Sequence, residues 1–263
     1  MSSIFSLIGK HALVTGAGGY LGSAMAKALA SAGATVHINA RSAESCNVLI
    51  EDIRRDGGRA DAAPFDVNNQ QQVDAFFETR GEHPIDILVN NAYKGAGGTI
   101  ETSAPKDYLD SYEIAVAAPH RLLRASLPAL RSAVERSGNA SVINIASMYG
   151  MVSPDQRNYA SAHATNPPFY GAAKAALIQW TRYAACEFGK EGIRVNCISF
   201  GPFPRYDVQR QNKGFITTLE SRVPMGKVGQ ADEVGGPVVF LASSASSFVN
   251  GANLVVDGGW TAW

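Results

Sequence analysis

What the 263-residue chain lacks narrows its classes before any motif is read. Lys plus Arg and Asp plus Glu number 23 each, so no net charge draws it to nucleic acid or to an anionic membrane surface. No apolar run approaches the roughly 20 residues that a membrane helix needs. Only three cysteines are present, Cys46, Cys186 and Cys197, far apart and without a C-x-x-C pair. Free, mostly buried thiols in a reducing compartment are expected, and with them a cytoplasmic protein. Met1 to Lys10 has no basic segment ahead of an apolar core, so no signal peptide is expected. No repeat, low-complexity tract or linker interrupts the chain, and residues 1–263 read as one domain with a sizeable core.

What is present is punctuated by glycine. His11 to Thr15 is a short apolar run, followed at once by Gly16-Ala-Gly-Gly-Tyr-Leu-Gly22 and a helical pattern of Leu21, Met25, Leu29 and Ala32. Strand, glycine turn and helix form the context of a dinucleotide fingerprint, in which free N–H groups at the helix start face a pyrophosphate. Gly16, Gly19, Tyr20, Leu21 and Gly22 are the candidate contacts. The second strand, Ala34 to Asn39, ends in Ala40-Arg41-Ser42, where a ribose 2′-position would lie. No acidic residue is there to accept from a 2′-hydroxyl, whereas Arg41 suits a 2′-phosphate and Ser42 lies beside it. NADP(H) is favoured on this ground, with NAD(H) as the alternative.

Further strands are expected at Ala60 to Phe65, Ile85 to Val89, Ser141 to Ala146, Gly192 to Ile198 and Asn253 to Val256. Alternation with helices predicts an α/β domain: a Rossmann-like, doubly wound parallel sheet of about seven strands with helices on both faces. A long helix is expected from Ala104 to Ala133, interrupted near Pro119, and another from Tyr170 to Phe188. In the second, Tyr170 and Lys174 share one face, one turn apart. An ammonium near a phenol lowers its pKa from about 10, which suits proton exchange with a substrate oxygen. Tyr159-Ala-Ser-Ala-His163 is a near-copy with histidine for lysine, but Pro167-Pro168 would break a helix begun there.

Taken together, these residues resemble the short-chain dehydrogenase/reductase family from roughly Lys10 to Trp260. The motifs that carry the resemblance are Thr15 with Gly16, Gly19 and Gly22; Asn90-Asn91-Ala92; Ser147; Tyr170 with Lys174; Arg194-Val-Asn196; Gly201; and Asp257-Gly-Gly259. The resemblance implies that Tyr170 is the general acid/base and that Ser147 hydrogen-bonds the substrate oxygen. It makes Lys174 the residue that tunes Tyr170 and holds the nicotinamide ribose. It assigns Asn91 and Ala92 to cofactor support, Asp66 with Val67 to the adenine, and Gly201 with Phe203 to the rest of the cofactor set; no metal is implied.

Departures from the family pattern stand at specific positions. Tyr20 replaces a usual glycine, and the remaining G-x-x-G-x-x-G spacing is similar to the extended subgroup, which holds nucleotide-sugar epimerases. Length and the Asp257-Gly-Gly259 ending fit the classical subgroup. Ala115 stands where the family carries an asparagine that supports a proton relay to the lysine. Tyr93 stands where glycine is common, and either lines the substrate side or caps a loop. The threonine usual after the sixth strand is missing from Phe203 to Tyr206.

Ser147 and Tyr170 stand 23 positions apart, further than the family's usual dozen, so Met151 to Phe169 reads as an insertion at about 151–169. Two readings remain for it: with Tyr149, Arg157 and His163 it contacts a hydroxylated or anionic substrate, or it is a solvated loop. Residues 203–222 are expected to form a lid over the substrate. The expected function is an NAD(P)(H)-dependent oxidoreductase that interconverts a secondary alcohol and a ketone on a small polar substrate: a sugar, sugar acid or polyol. The alternatives are a 3-oxoacyl-type reductase, a nucleotide-sugar epimerase or dehydratase, and a cofactor-binding protein without catalysis. The expected partners are a small-molecule substrate and further copies of the chain, as a homodimer or homotetramer joined through the two long helices and Trp260 and Trp263.

Overall fold

The computed structural model describes residues 4–81 and 83–263; Met1 to Ser3, part of the segment read for a signal peptide, lie outside it. Seven strands form one sheet: β1 (His11–Val14), β2 (Thr35–Ala40), β3 (Arg59–Pro64), β4 (Ile87–Asn90), β5 (Ala140–Ser147), β6 (Ile193–Phe200) and β7 (Asn253–Val256). Their order is β3-β2-β1-β4-β5-β6-β7, and every pairing is parallel. The helices are α1 (Tyr20–Ser31), α2 (Glu44–Arg55), α3 (Gln70–Arg80), α4 (Pro105–Tyr112), α5 (Ala118–Ser137), α6 (Pro168–Phe188), α7 (Tyr206–Gln211), α8 (Lys213–Glu220) and α9 (Gly235–Ala242).

The central strands of a parallel sheet are covered on both faces, so they are buried along their whole length instead of at alternate positions. All eight residues of β5 and all eight of β6 are buried. Side-chain alternation then sorts each strand between two cores. Val14 and Ile38 pack with Met25, Leu29, Val238 and Leu241 of α1 and α9 on one face. Leu13, Leu88 and Val195 pack with Phe77, Leu122, Leu130 and Ala184 of α3, α5 and α6 on the other. Among the described residues no helix is long and apolar enough to cross a membrane. Cys46 and Cys197 are buried free thiols, and Cys186 is exposed.

The chain runs outward from β1 through β2 to β3, then returns to place β4 on the other flank of β1. Such a reversal leaves a crevice beyond the carboxyl ends of the strands, where α/β sheets bind ligands. Two helix expectations are refined. The long helix is divided by a π turn, Glu113–Ala117, ahead of Pro119. Pro119 follows it directly, just after the Ala118 amide bonds the Glu113 carbonyl five residues back, so the wide turn rather than a free helix end accommodates the proline. Helix α6 starts at Pro168 rather than Tyr170, since a proline at the first helical position gives up no helical bond, with Pro167 as its extended N-cap.

Candidate active site

The crevice is a cleft of about 1240 Å³. At its base, short polar groups tie β1 to β4. Thr15 Oγ1 donates to the Val89 carbonyl at 3.2 Å and accepts from the Asn91 and Ala92 amides at 2.9 and 3.1 Å. Asn91 Nδ2 donates to the Thr15 and Gly16 carbonyls at 2.9 and 3.1 Å. Gly16 has φ +61°, and a Cβ on Gly22 would run into the Gly16 carbonyl oxygen. Helix α1 therefore starts flush against the loop. Its N-cap, Gly19, supplies no side-chain bond, and the first turn holds no acidic residue. Tyr20, Leu21 and Gly22 of this first turn line the cleft, where a pyrophosphate would meet helix-start amides.

Tyr20, Leu21, Arg41, Asp66 and Val67 line the cleft, and Arg41 is exposed at the tip of β2. Ser42 does not line it. Its hydroxyl is engaged with Ser45 Oγ at 2.9 Å at the start of α2, and Ser45 takes the wall position instead. Asn39 and Asn68, not singled out from the sequence, also line the cleft. Asn39 Nδ2 donates to the Ala63 and Phe65 carbonyls, which braces the end of β2 against β3. Tyr20, where glycine was usual, meets Tyr206 of α7 edge-on at 5.1 Å, so the substitution joins the fingerprint loop to segment 203–222.

Ser147, Tyr170 and Lys174 converge in the same cleft. Strand β5 delivers Ser147 into a tight 3-10 turn, Met148–Gly150, that packs on α6. Glycine permits that approach on both sides: a Cβ on Gly171 would lie 2.6 Å from the Tyr149 carbonyl oxygen, and one on Gly150 would lie 2.9 Å from the Lys174 carbonyl carbon. Ser147 Oγ accepts from the Tyr149 amide at 3.2 Å and stands on the Tyr170 side of the cleft, where it tempers the rise in that phenol's pKa. Lys174 is buried and donates from Nζ to the Ile145 carbonyl at 2.6 Å, with Nζ 5.7 Å from the Tyr170 ring centre. Beneath them, Asn90 donates to Asn144 at 2.8 Å and Asn144 to Thr181 at 2.9 Å, a buried chain linking β4, β5 and α6.

The expected depression of the tyrosine's pKa does not appear in this arrangement. Burial pushes the Tyr170 phenol up to about 12, and Ser147 offsets only part of that. Burial likewise holds Lys174 down, at about 8. Desolvation penalises both charged forms and outweighs a lysine whose ammonium points to a carbonyl rather than to the phenol oxygen.

Tyr93 belongs to the site rather than to a loop cap. Its ring meets Tyr170 edge-on at 4.9 Å, and Lys174 Nζ lies 5.1 Å from its centre. Its hydroxyl is 2.8 Å from Ser111 Oγ, and Ser111 donates to the Phe169 carbonyl at 3.2 Å. Ala115, in the asparagine's expected place, is buried in the π turn beside Ala173 and Leu177, and Tyr93 packs against this group.

Beyond Ser147 and Tyr170 the cleft opens into a second compartment of about 420 Å³. Tyr149 and Tyr159 line it with their hydroxyls 3.0 Å apart, and Phe215 of α8 lies 5.9 Å from the Tyr159 ring. Tyr159, the near-copy of the motif, is therefore a wall residue delivered by segment 151–169. Arg157 is not: it is exposed, pairs with Asp155 at 2.7 Å, and lines neither compartment. His163 is exposed too; its backbone carbonyl, not its ring, packs against Gly97. Asp155 also takes Arg222 at 3.2 Å, tying segment 151–169 to the end of segment 203–222. No sequence pattern announced the Tyr149–Tyr159 pair; both residues were visible, but their meeting depends on the path of the intervening turn.

Fold and site together define a class: nucleotide-dependent oxidoreductases built on a doubly wound sheet. A family model described as enoyl-(acyl carrier protein) reductase matches residues 16–261. The chain is 36% identical to gluconate 5-dehydrogenase of Gluconobacter oxydans over 98% of its own length and 97% of the relative's. Among solved structures it is similar to a gluconate 5-dehydrogenase of Burkholderia cenocepacia in complex with NADP and tartrate, at 32% identity, TM-score 0.85 and 98% coverage of both chains. It is also similar to L-sorbose reductase of Gluconobacter frateurii complexed with NADPH and L-sorbose, at 28% identity, TM-score 0.85 and 98% coverage of both. The chain belongs to the short-chain dehydrogenase/reductase family, and its reaction is the interconversion of a secondary alcohol and a ketone.

Proposed function

We propose that this enzyme uses NADP(H) to interconvert a secondary alcohol and a ketone on a small polar substrate of the sugar, sugar-acid or polyol type. The observation that carries the reading is the place of Ser147 and Tyr170, which line both the dinucleotide cleft and the inner compartment. A hydroxyl-bearing carbon in the smaller space would meet the two side chains at the border of the cleft whose residues would hold the cofactor. Its nicotinamide ring, when bound, supplies the hydride chemistry. Ser147 orients the reacting oxygen, Tyr170 moves its proton, and Lys174 keeps the phenol's surroundings and would hold the nicotinamide ribose. NADP(H) rather than NAD(H) is supported by exposed Arg41 at the tip of β2, by the lack of an acidic residue there, and by the NADP and NADPH held by the two solved relatives. Self-association into a homodimer or homotetramer is part of the same reading, supported by Tyr183 of α6 and Trp263, which are 70% and 81% exposed.

The test follows absorbance at the reduced-nicotinamide band with NADPH and NADH against keto sugars, sugar acids and oxoacyl thioesters. Faster oxidation of NADPH than of NADH with a keto sugar or keto sugar acid is expected. Turnover of the thioesters alone would replace the substrate class, and no dependence on Tyr170 would remove the mechanism. Sedimentation at micromolar protein concentration reads the assembly.

A further inference from the structure

The inner compartment has aromatic walls, hydroxyls in pairs, and no charge. None of its lining residues among those described is Asp, Glu, Lys, Arg or His. Tyr93, Tyr149, Tyr159, Tyr170, Phe203 and Phe215 supply its rings. The cations that a carboxylate would seek are elsewhere. Arg157 and Arg222 are held by Asp155 outside the compartment. Lys174 is bound to the Ile145 carbonyl, and Lys94 is an exposed residue of the larger cleft's wall. Two phenols, 3.0 Å apart, remain to read the substrate. One donates to the other, which leaves one free O–H and the lone pairs of both oxygens to meet neighbouring hydroxyls. Burial pushes both phenols above the usual tyrosine range, so they stay neutral. Asn166 adds a buried Oδ1 without a partner in the same wall.

Resting on the oxidoreductase reading above, we infer that the Tyr149–Tyr159 pair selects an uncharged polyhydroxylated substrate, a ketose or polyol, against the sugar acids named for several relatives. Donated O–H bonds can orient a carboxylate, but they do not neutralise it, and with no cation in the lining the hydration it gives up on contact goes uncompensated. Neighbouring neutral hydroxyls meet the same pair without that cost. Stacking of C–H faces on the Tyr93 and Phe215 rings favours the same class.

The experiment compares kcat/KM with NADPH for L-sorbose and other neutral ketoses with that for 5-keto-D-gluconate and other keto sugar acids. A preference of about tenfold or more for the neutral set is expected. Tyr159→Phe is expected to raise KM for the neutral set roughly tenfold while kcat stays within about twofold, since the phenol binds without joining the chemistry. Tyr159→Arg is expected to shift the ratio toward the acids. Equal or better turnover of the acids by the unaltered enzyme overturns the inference and leaves the oxidoreductase reading standing. Binding of NADPH without reduction of either set overturns both. A Tyr159→Phe variant with unchanged KM removes the phenol pair from recognition whatever the preference.

Discussion

The two halves of the cleft are built by different means. On the dinucleotide side, position is set by backbone and short polar groups: Thr15 and Asn91 bond the tips of β1 and β4, and glycines let α1 start against the loop. On the substrate side, position is set by large rings from distant parts of the chain: Tyr93 after β4, Tyr149 and Tyr159 around segment 151–169, and Phe203 and Phe215 after β6. The first half is stiff and generic, because a pyrophosphate always asks for the same amides. The second is specific, because each ring can change without disturbing the sheet.

The comparison breaks most sharply at the junction. Tyr170→Phe is expected to lower kcat by about 10²–10⁴-fold while NADPH affinity is held, measured by turnover and by fluorescence titration. An equal loss of cofactor binding would mean that the two halves are not separable there. Arg41→Ala acts on the generic half alone. NADPH affinity is expected to fall roughly tenfold, about 1.4 kcal/mol, with NADH affinity unchanged. If both cofactors weaken together, Arg41 is not reading a 2′-phosphate.

A smaller effect is expected from Tyr93→Leu, which keeps apolar volume but removes the ring beside Lys174. Loss of a cation–π contact of about 0.5–2 kcal/mol should lower the lysine's pKa further and move the alkaline limb of the kcat profile to lower pH. An unmoved limb would make Tyr93 a packing residue only. Lys174→Met gives the most pH-specific change. The lysine's folded-state value, about 8, lies below its ordinary 10.5, so burial of the charged form costs stability in full below pH 8. That cost declines between those two values, as the folded state gives up its proton while the unfolded state keeps it, and is absent above them. The inactive variant should therefore melt higher than the parent below pH 8, with the gain fading toward pH 10.5. A constant gain across that range would rule out the charge as its cause.

How much of this was legible follows the same division. The fingerprint loop, the seven parallel strands and the choice of Tyr170 over Tyr159 follow from local spacing, glycine and proline chemistry within a few residues. Ser42 was misplaced by a few residues because the turn after β2 spends its hydroxyl on Ser45. Arg157 looked like a ligand for an anion, but a carboxylate two residues away, Asp155, takes it first. The rise in the Tyr170 pKa was illegible because helical spacing gives the distance to a lysine but not the burial of either group. Tyr93 and Ala115 looked like two unrelated departures until the fold set one against the other.

The π turn at Glu113–Ala117 carries this last point further. It inserts one extra residue into an otherwise regular helical path. Since each residue of an α-helix advances the azimuth by about 100°, that addition sets where α4 aims relative to α5. Ser111 reaches the Tyr93 hydroxyl in this phase, while Leu122 still faces the sheet. Removing Ala117 would rotate the outer helix by one such step and carry Ser111 off its partner, leaving the inner helix seated. The wide turn acts as a vernier on one wall of the chamber, adjustable by counting residues where most pockets are adjusted by exchanging them.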